Sequence, residues 1–259
     1  MINAAVLGSP IAHSLSPVLH RRAYEILGIE GRYQAIEVGS GQLPNFLAEV
    51  GGKFDGFSLT MPLKEEAVPL SAVNSPEVEI TGALNTLIRG DGDWSGHNTD
   101  VLGFEFLIRD YSKASVTILG AGGTARAALL AATRMGSSTR VFRRSSERDT
   151  ALRQVSPGVE IRDWSEIGDE LEAPIIVNAT PSGALSQINH LHADLVIDAL
   201  YHPWPTHLSK VSHSKSFVSG IDLLAAQASF QVNLMTNRKF DIPSFYRELK
   251  SAALAAINK

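Results

Sequence analysis

At 259 residues the chain exceeds one typical domain, so two are expected, each with a core of its own. Hydrophobic residues make up 44% and charged residues 19%, the balance of a globular enzyme, and a formal charge of −4 argues against a nucleic-acid surface. Cysteine is absent, which excludes disulfides, thiolate metal sites and thiol nucleophiles and fits a reducing, cytoplasmic setting.

The first residues, Met1-Ile2-Asn3-Ala4, carry no basic segment and read as the start of a strand, so no signal peptide is expected. No apolar run approaches the length of a membrane span. Residues 4–7 predict a strand. Ser16 followed by Pro17 reads as an N-cap and first helical residue, opening a helix that stops at Gly28. Strands are predicted at 33–36, 57–59 and 84–88, and Asp100 opens another helix. Residues 116–119, 139–142, 175–178, 195–198 and 217–219 continue the alternation of short apolar strands with helical stretches. Long helices follow at 221–235 and 244–257, the latter with Phe245, Leu249, Ala253 and Ala256 on one face. The fold class is therefore α/β with mostly parallel sheets. The expected domains are 1–100 plus 222–259 for substrate, and 101–221 for a dinucleotide, with a cleft between them.

The strand at 116–119 runs directly into Gly120-Ala121-Gly122-Gly123-Thr124-Ala125, and residues 126–135 then read as a helix. Strand, G-x-G-x-x-A, helix is the context of a dinucleotide fingerprint. The first glycine permits the tight turn, the second lets backbone approach a pyrophosphate, and Ala125 allows close helix–strand packing. The helix N-terminus then holds the phosphate charge. Gly120, Ala121, Gly122 and Gly123 are accordingly cofactor-binding candidates.

About twenty residues past such a fingerprint, an acidic residue selects NAD and arginine accommodates the extra phosphate of NADP. Here the strand ends in Arg143-Arg144-Ser145-Ser146-Glu147-Arg148, with no acid at its tip. Arginine offers planar, multi-donor recognition of phosphate, so Arg143, Arg144 and Arg148 point to NADP(H). Glu147 is expected to start the next helix.

In the first domain four polar segments stand out: 8–17, 56–64, 82–86 and 96–100. Three lie at or just beyond strand carboxyl ends, where ligands bind in open α/β sheets. Taken singly, each has a plain structural reading. Ser16 and Asp100 could cap helices, Lys64 could be a solvated lysine, and Asn85 a turn residue. Gln227 falls on a partly buried helix face, where a glutamine needs a partner. His190 and His192 would share one strand face, but no spacing completes a metal site, so a mobile polar loop and no metal are expected.

Together and in order, the chain resembles shikimate dehydrogenase. The resemblance rests on Ser14-x-Ser16-Pro17, Thr60-x-Pro62-x-Lys64, Gly82-Ala83-x-Asn85-Thr86, Asn98-Thr99-Asp100, the glycine loop, Asn178-Ala179-Thr180-Pro181, Asp198-x-x-Tyr201-x-Pro203 and Gly220 with Gln227. It implies reversible NADPH-dependent reduction of 3-dehydroshikimate to shikimate in aromatic amino-acid biosynthesis. By that resemblance Lys64 and Asp100 are the catalytic pair. Ser14 and Ser16 bind the substrate carboxylate, and Thr60, Asn85, Asp100 and Gln227 its ring hydroxyls. Tyr201 lines the pocket, and Thr180 and Gly220 belong to the cofactor site. Ketone reduction needs a hydride donor and a proton donor at the oxygen, and a lysine ammonium beside a carboxylate suits the second task. Ser58, Arg21, Arg143, Leu223 and His207 stand where the family has other residues. The implied partners are a small-molecule substrate and no nucleic acid or membrane, in a monomer or homodimer. Two alternatives remain: a quinate/shikimate dehydrogenase using NAD, and a non-catalytic NADPH-binding protein. Ser16 and the two arginines argue against the first, and Lys64 with Asp100 against the second.

Overall fold

The structure is a computed structural model that describes residues 1–257. It divides into two compact units: Met1–Leu102 together with the chain from Leu224 on, and Gly103–Leu223. No helix among the described residues is long and apolar enough to cross a membrane.

In the first unit the order is β1 (Ile2–Gly8), α1 (Ser16–Leu27), β2 (Gly31–Glu37), α2 (Leu43–Val50), β3 (Gly56–Leu59), α3 (Leu63–Glu66), β4 (Val73–Asn74), α4 (Pro76–Thr81), β5 (Thr86–Arg89) and β6 (Trp94–His97). Helix α5 (Thr99–Ile108) starts in this unit and continues into the second. The strands lie in the order β2-β1-β3-β5-β6-β4. β1 is parallel to β2 and β3, but β5 runs antiparallel to both β3 and β6. β4 is parallel to β6, so the sheet is mixed, with β5 as its one antiparallel strand. The short connection between β5 and β6 explains this, because parallel neighbours need a crossover of a dozen residues. Along β3, Phe57 and Leu59 enter an apolar cluster while Ser58 faces the other way. Phe57 packs against Phe54, Phe46 and Trp94 with ring centroids 4.8–5.7 Å apart. Burying one such ring stabilises by roughly 1.5–3 kcal/mol, which anchors the strand that presents the site.

The second unit contains β7 (Val116–Leu119), α6 (Gly123–Arg134), β8 (Thr139–Arg143), α7 (Asp149–Val155), β9 (Glu160–Asp163), β10 (Glu170–Glu172), β11 (Ile175–Asn178), β12 (His190–Asp198), α8 (His207–Val211) and β13 (Ser212–Val218). All its strand pairings are parallel. β10 and β11 share one edge of the long β12, and β13 takes the other. Leaving β10 aside, the order is β9-β8-β7-β11-β12-β13. That is the 3-2-1-4-5-6 order of a doubly wound dinucleotide-binding sheet, with its switch point between β7 and β11. β7 and β11 are buried at every residue, as strands covered on both faces must be. Helix α9 (Gly220–Thr236) runs back into the first unit, which α10 (Ile242–Ile257) completes.

Three local expectations are corrected. Ser16 does not cap α1: the helix begins at Ser16, no side chain caps it, and the Ser14 hydroxyl accepts from the Ser16 amide at 3.3 Å instead. Leu84 and Asn85 precede β5 rather than belonging to it. Their amides donate to the carbonyls of Lys64 and His97. His190 and His192 lie on β12, not in a mobile loop, with Leu191 buried between them on the opposite face. Among the described residues no group of His, Cys, Asp or Glu is arranged to hold a metal ion.

Candidate active site

The mixed pairing of the first sheet gathers all four polar segments. Segment 9–16 leaves the carboxyl end of β1, Thr60–Lys64 leaves that of β3, and Asn98–Asp100 leaves that of β6. Asn85 enters β5, and because β5 is antiparallel its beginning lies at the same edge, with Thr86 beside Ser58 and His97. β1 connects to β2 on one side and the chain then returns to β3 on the other. This places the site at the switch point where open α/β sheets bind ligands. The turn past β1 must be glycine: a Cβ on Gly8 would overlap the Thr60 side chain and lie 2.9 Å from the Met61 carbonyl.

At this edge the Lys64 ammonium donates to Asp100 Oδ2 at 2.5 Å. The two side chains are only 18% and 7% exposed, so the pair is largely shielded from water. Asp100 sits in the first turn of α5, where the helix dipole favours negative charge, and its amide donates to Asn98 Oδ1. Asn85 Nδ2 donates to the other carboxylate oxygen, Asp100 Oδ1, at 2.9 Å, and to the Thr99 hydroxyl at 3.0 Å. Gln227 Oε1 lies 3.3 Å from both Asn85 Nδ2 and Thr99 Oγ1. The structure thus brings Lys64, Asp100, Asn85 and Gln227 into one hydrogen-bonded group. A cation and a carboxylate held side by side can pass a proton and stabilise developing oxyanion charge.

Ser14 and Thr60 lie on the loops leaving β1 and β3, and the buried Ser16 opens α1. Tyr201 belongs to the other unit, three residues past β12. His97 is half-buried and its imidazole pKa is lowered by that burial. Sequence reasoning assigned no role to Thr99, and it passed over Gln231, one helical turn beyond Gln227. Gln231 is buried and donates to the Thr86 hydroxyl at 2.9 Å. The signal was a second glutamine four residues after the first on an apolar face.

In the second unit Gly120 has φ +109° and a Cβ there would lie 3.0 Å from the Ala179 carbonyl, so the turn after β7 requires glycine. Helix α6 starts at Gly123, three residues earlier than the sequence suggested, because the loop supplies its first turn. Its N-cap, Gly122, offers no side chain, so no side-chain cap closes the start of the helix. Apart from Gly122 and its chain neighbours, no described residue comes within 4 Å of a Cβ built on Gly122. An uncapped helix start of this kind fits a phosphate group. At the end of β11, Asn178 Oδ1 accepts from the amide and hydroxyl of Thr180, and its Nδ2 donates to the buried Asp198. Burial raises the Asp198 pKa. Gly220 is demanded by packing: its Cβ would sit 2.5 Å from the Ala199 carbonyl oxygen.

The basic segment divides. Arg143 is tied down, donating to Asp149 at 2.7 and 3.2 Å and to Asp163 at 2.8 Å, and the hydrogen bond to Asp149 is the chief cause of its raised pKa. Arg144 is exposed and engaged in no ion pair among the described residues. Glu147 lies in the 3-10 turn Ser146–Arg148, where its amide donates to the Ser145 hydroxyl.

Residues 6–87 match the family described as shikimate dehydrogenase substrate binding domain. A shikimate dehydrogenase (NADP(+)) of Thermus thermophilus is 35% identical over 266 residues, covering 98% of this chain and 99% of that protein. The enzyme of the same name from Ignicoccus hospitalis is 34% identical over 86% of this chain and 88% of its own. The solved Thermus thermophilus shikimate 5-dehydrogenase in complex with NADP(H) and shikimate superposes with a TM-score of 0.81 at 31% identity, covering 97% of this chain and all of that one.

Proposed function

The chain belongs to the shikimate dehydrogenase family, and on that premise we propose that it interconverts 3-dehydroshikimate and shikimate using NADPH and NADP. The observation that carries the reading is the shielded Lys64–Asp100 pair, 2.5 Å apart, with Asn85 on the second carboxylate oxygen. Lys64 donates a proton to the ketone oxygen and stabilises its developing charge, and Asp100 holds the ammonium in line. In the reverse direction the same pair takes up the hydroxyl proton. Ser14 and Ser16 receive the substrate carboxylate, and Thr60, Asn85 and Gln227 the ring hydroxyls, with Tyr201 lining the pocket. Bound NADPH supplies the hydride, so ketone plus hydride plus the lysine proton gives the alcohol. Ala121, Gly122 and Gly123 at the start of α6 suit the pyrophosphate. Thr180 and Gly220 border the same sheet edge. Arg144, not the ion-paired Arg143, is the better placed arginine for the phosphate that distinguishes NADP.

The test is absorbance at the reduced-nicotinamide band with purified protein, shikimate and NADP. A steady rise that is absent with quinate or with NAD is expected. Faster turnover of quinate with NAD would move the chain to the quinate-using relatives. No rise with any pair would sink the assignment.

A further inference from the structure

Behind the group that holds Asp100 lies a second layer of buried polar side chains that the proposed chemistry does not use. His20, Tyr33, Ser58, Thr86 and Gln231 are all buried, so water cannot stand in for a missing partner. The Tyr33 hydroxyl donates to Ser58 Oγ at 2.5 Å, and Ser58 donates to Gln231 Oε1 at 2.9 Å. His20, stacked on Tyr33 with centroids 3.9 Å apart, meets the same Oε1 through Nε2 at 3.2 Å, while its Nδ1 has no partner among the described residues. Gln231 Nε2 spends its two protons on the Asn85 carbonyl at 3.1 Å and the Thr86 hydroxyl at 2.9 Å. The reverse amide orientation would set Oε1 against a carbonyl oxygen, so the direction of every bond is fixed.

That direction has a consequence at the site. A threonine hydroxyl has one proton. Because Gln231 donates into Thr86 Oγ1, the Thr86 proton goes to Asn85 Oδ1 at 2.9 Å. The Thr99 amide donates to the same Oδ1 at 2.8 Å. With its oxygen pinned from behind, the Asn85 amide must present Nδ2 to Asp100. A flipped Asn85 would press its own oxygen against the carboxylate.

We propose that Gln231 is a positioning residue, with Thr86 as its relay, that acts with the Thr99 amide to fix which way the Asn85 amide faces and so keeps a donor on Asp100. The inference rests on the reading of Asp100 and Asn85 as site residues given above. It extends the functional unit to a helix position that touches neither Lys64 nor Asp100. Ser58 is part of the same device, since its hydroxyl holds the Gln231 oxygen turned away from Thr86.

Three variants and two readouts test it. Thr86→Val removes the relay hydroxyl with little change in shape, Thr86→Ser restores it, and Gln231→Met removes the donor. In the folded protein without ligands, the Asn85 side-chain amide should lose its nuclear Overhauser contacts to Asp100 Hβ in Thr86→Val and keep them in Thr86→Ser. In turnover, kcat/KM for shikimate should fall at least tenfold in Thr86→Val and Gln231→Met, and stay within threefold in Thr86→Ser. The KM for NADP should stay within twofold throughout. Unchanged Asn85 contacts, or Thr86→Val turnover within threefold of the parent, overturns the proposal. So does a Thr86→Ser loss equal to that of Thr86→Val. If Gln231→Met does not fold, the Thr86 pair decides alone. The amide readout needs no substrate, so a parent protein inactive on shikimate would overturn the functional reading and leave this test standing.

Discussion

Replacing Lys64 with methionine removes the ammonium while keeping most of the side-chain volume. Two separable losses are expected. The first is stability, because Asp100 is left as a carboxylate with 7% side-chain exposure and no adjacent cation. Removing one partner of a fully buried pair costs roughly 3–5 kcal/mol. Here Asn85 still donates to Asp100 at 2.9 Å and the lysine site keeps 18% exposure, so a smaller loss, about 2–3 kcal/mol, is expected. Urea unfolding reads this directly, and Lys64→Met combined with Asp100→Asn should recover part of it, since the stranded charge is gone. The second loss is catalytic. A positioned proton donor contributes roughly a hundred- to ten-thousand-fold, or about 3–5 kcal/mol of barrier. kcat should fall by that factor in both the single and double variants. NADPH affinity should hold, because the glycine loop belongs to the other unit. A Lys64→Met enzyme that folds and keeps kcat within tenfold of the parent would refute the role assigned to the pair.

Arg144→Ala should weaken NADPH binding by roughly 10- to 100-fold, the worth of one or two charge-assisted bonds, and leave NADH nearly unchanged. Equal losses for both cofactors in steady-state kinetics would show that Arg144 does not read the phosphate. Gly220→Ala puts a methyl group 2.5 Å from the Ala199 carbonyl oxygen and 2.7 Å from that of Leu200, so a loss of about 1–3 kcal/mol is expected in denaturant unfolding. Burial lowers the His20 pKa from 6.5 to about 3, so the unfolded chain binds the extra proton between those values. Stability from this group is therefore complete above pH 6.5 and drains away as pH falls toward 3. By pH 4.5 the loss amounts to about 2–3 kcal/mol at 1.36 kcal/mol per pH unit. His20→Gln should flatten that part of the stability profile, and an unchanged slope would mean that His20 does not titrate in this way.

Much of this molecule was legible because its chemistry is punctuated by backbone necessity. Gly120 has a positive φ beside the Ala179 carbonyl, and Gly8 and Gly220 sit where a Cβ would strike backbone, so the loops that present the ligands carry their own sequence marks. β7 and β11 read at their true boundaries because strands buried on both faces are unbroken apolar runs. β6, β9 and β10 were missed for the opposite reason: they are short and polar, as in Trp94-Ser95-Gly96-His97, and owe their extended form to neighbours rather than to propensity. The mixed pairing of the first sheet was equally hidden, since strand direction follows from which strands become neighbours.

The same distinction separates Arg143 from Arg144. In sequence they are adjacent and equivalent, and the motif alone would give both to the cofactor phosphate. In the fold, Asp149 from the next helix and Asp163 from the next strand claim Arg143, holding its side chain 14% exposed. A guanidinium already bonded to two carboxylates would have to surrender charge-assisted hydrogen bonds to turn toward a new anion, whereas Arg144 has none to lose among the described residues. Arg143 instead stiffens the strand end from which Arg144 projects. The asymmetry arises from residues 6 and 20 positions downstream, a separation at which no local motif can report it.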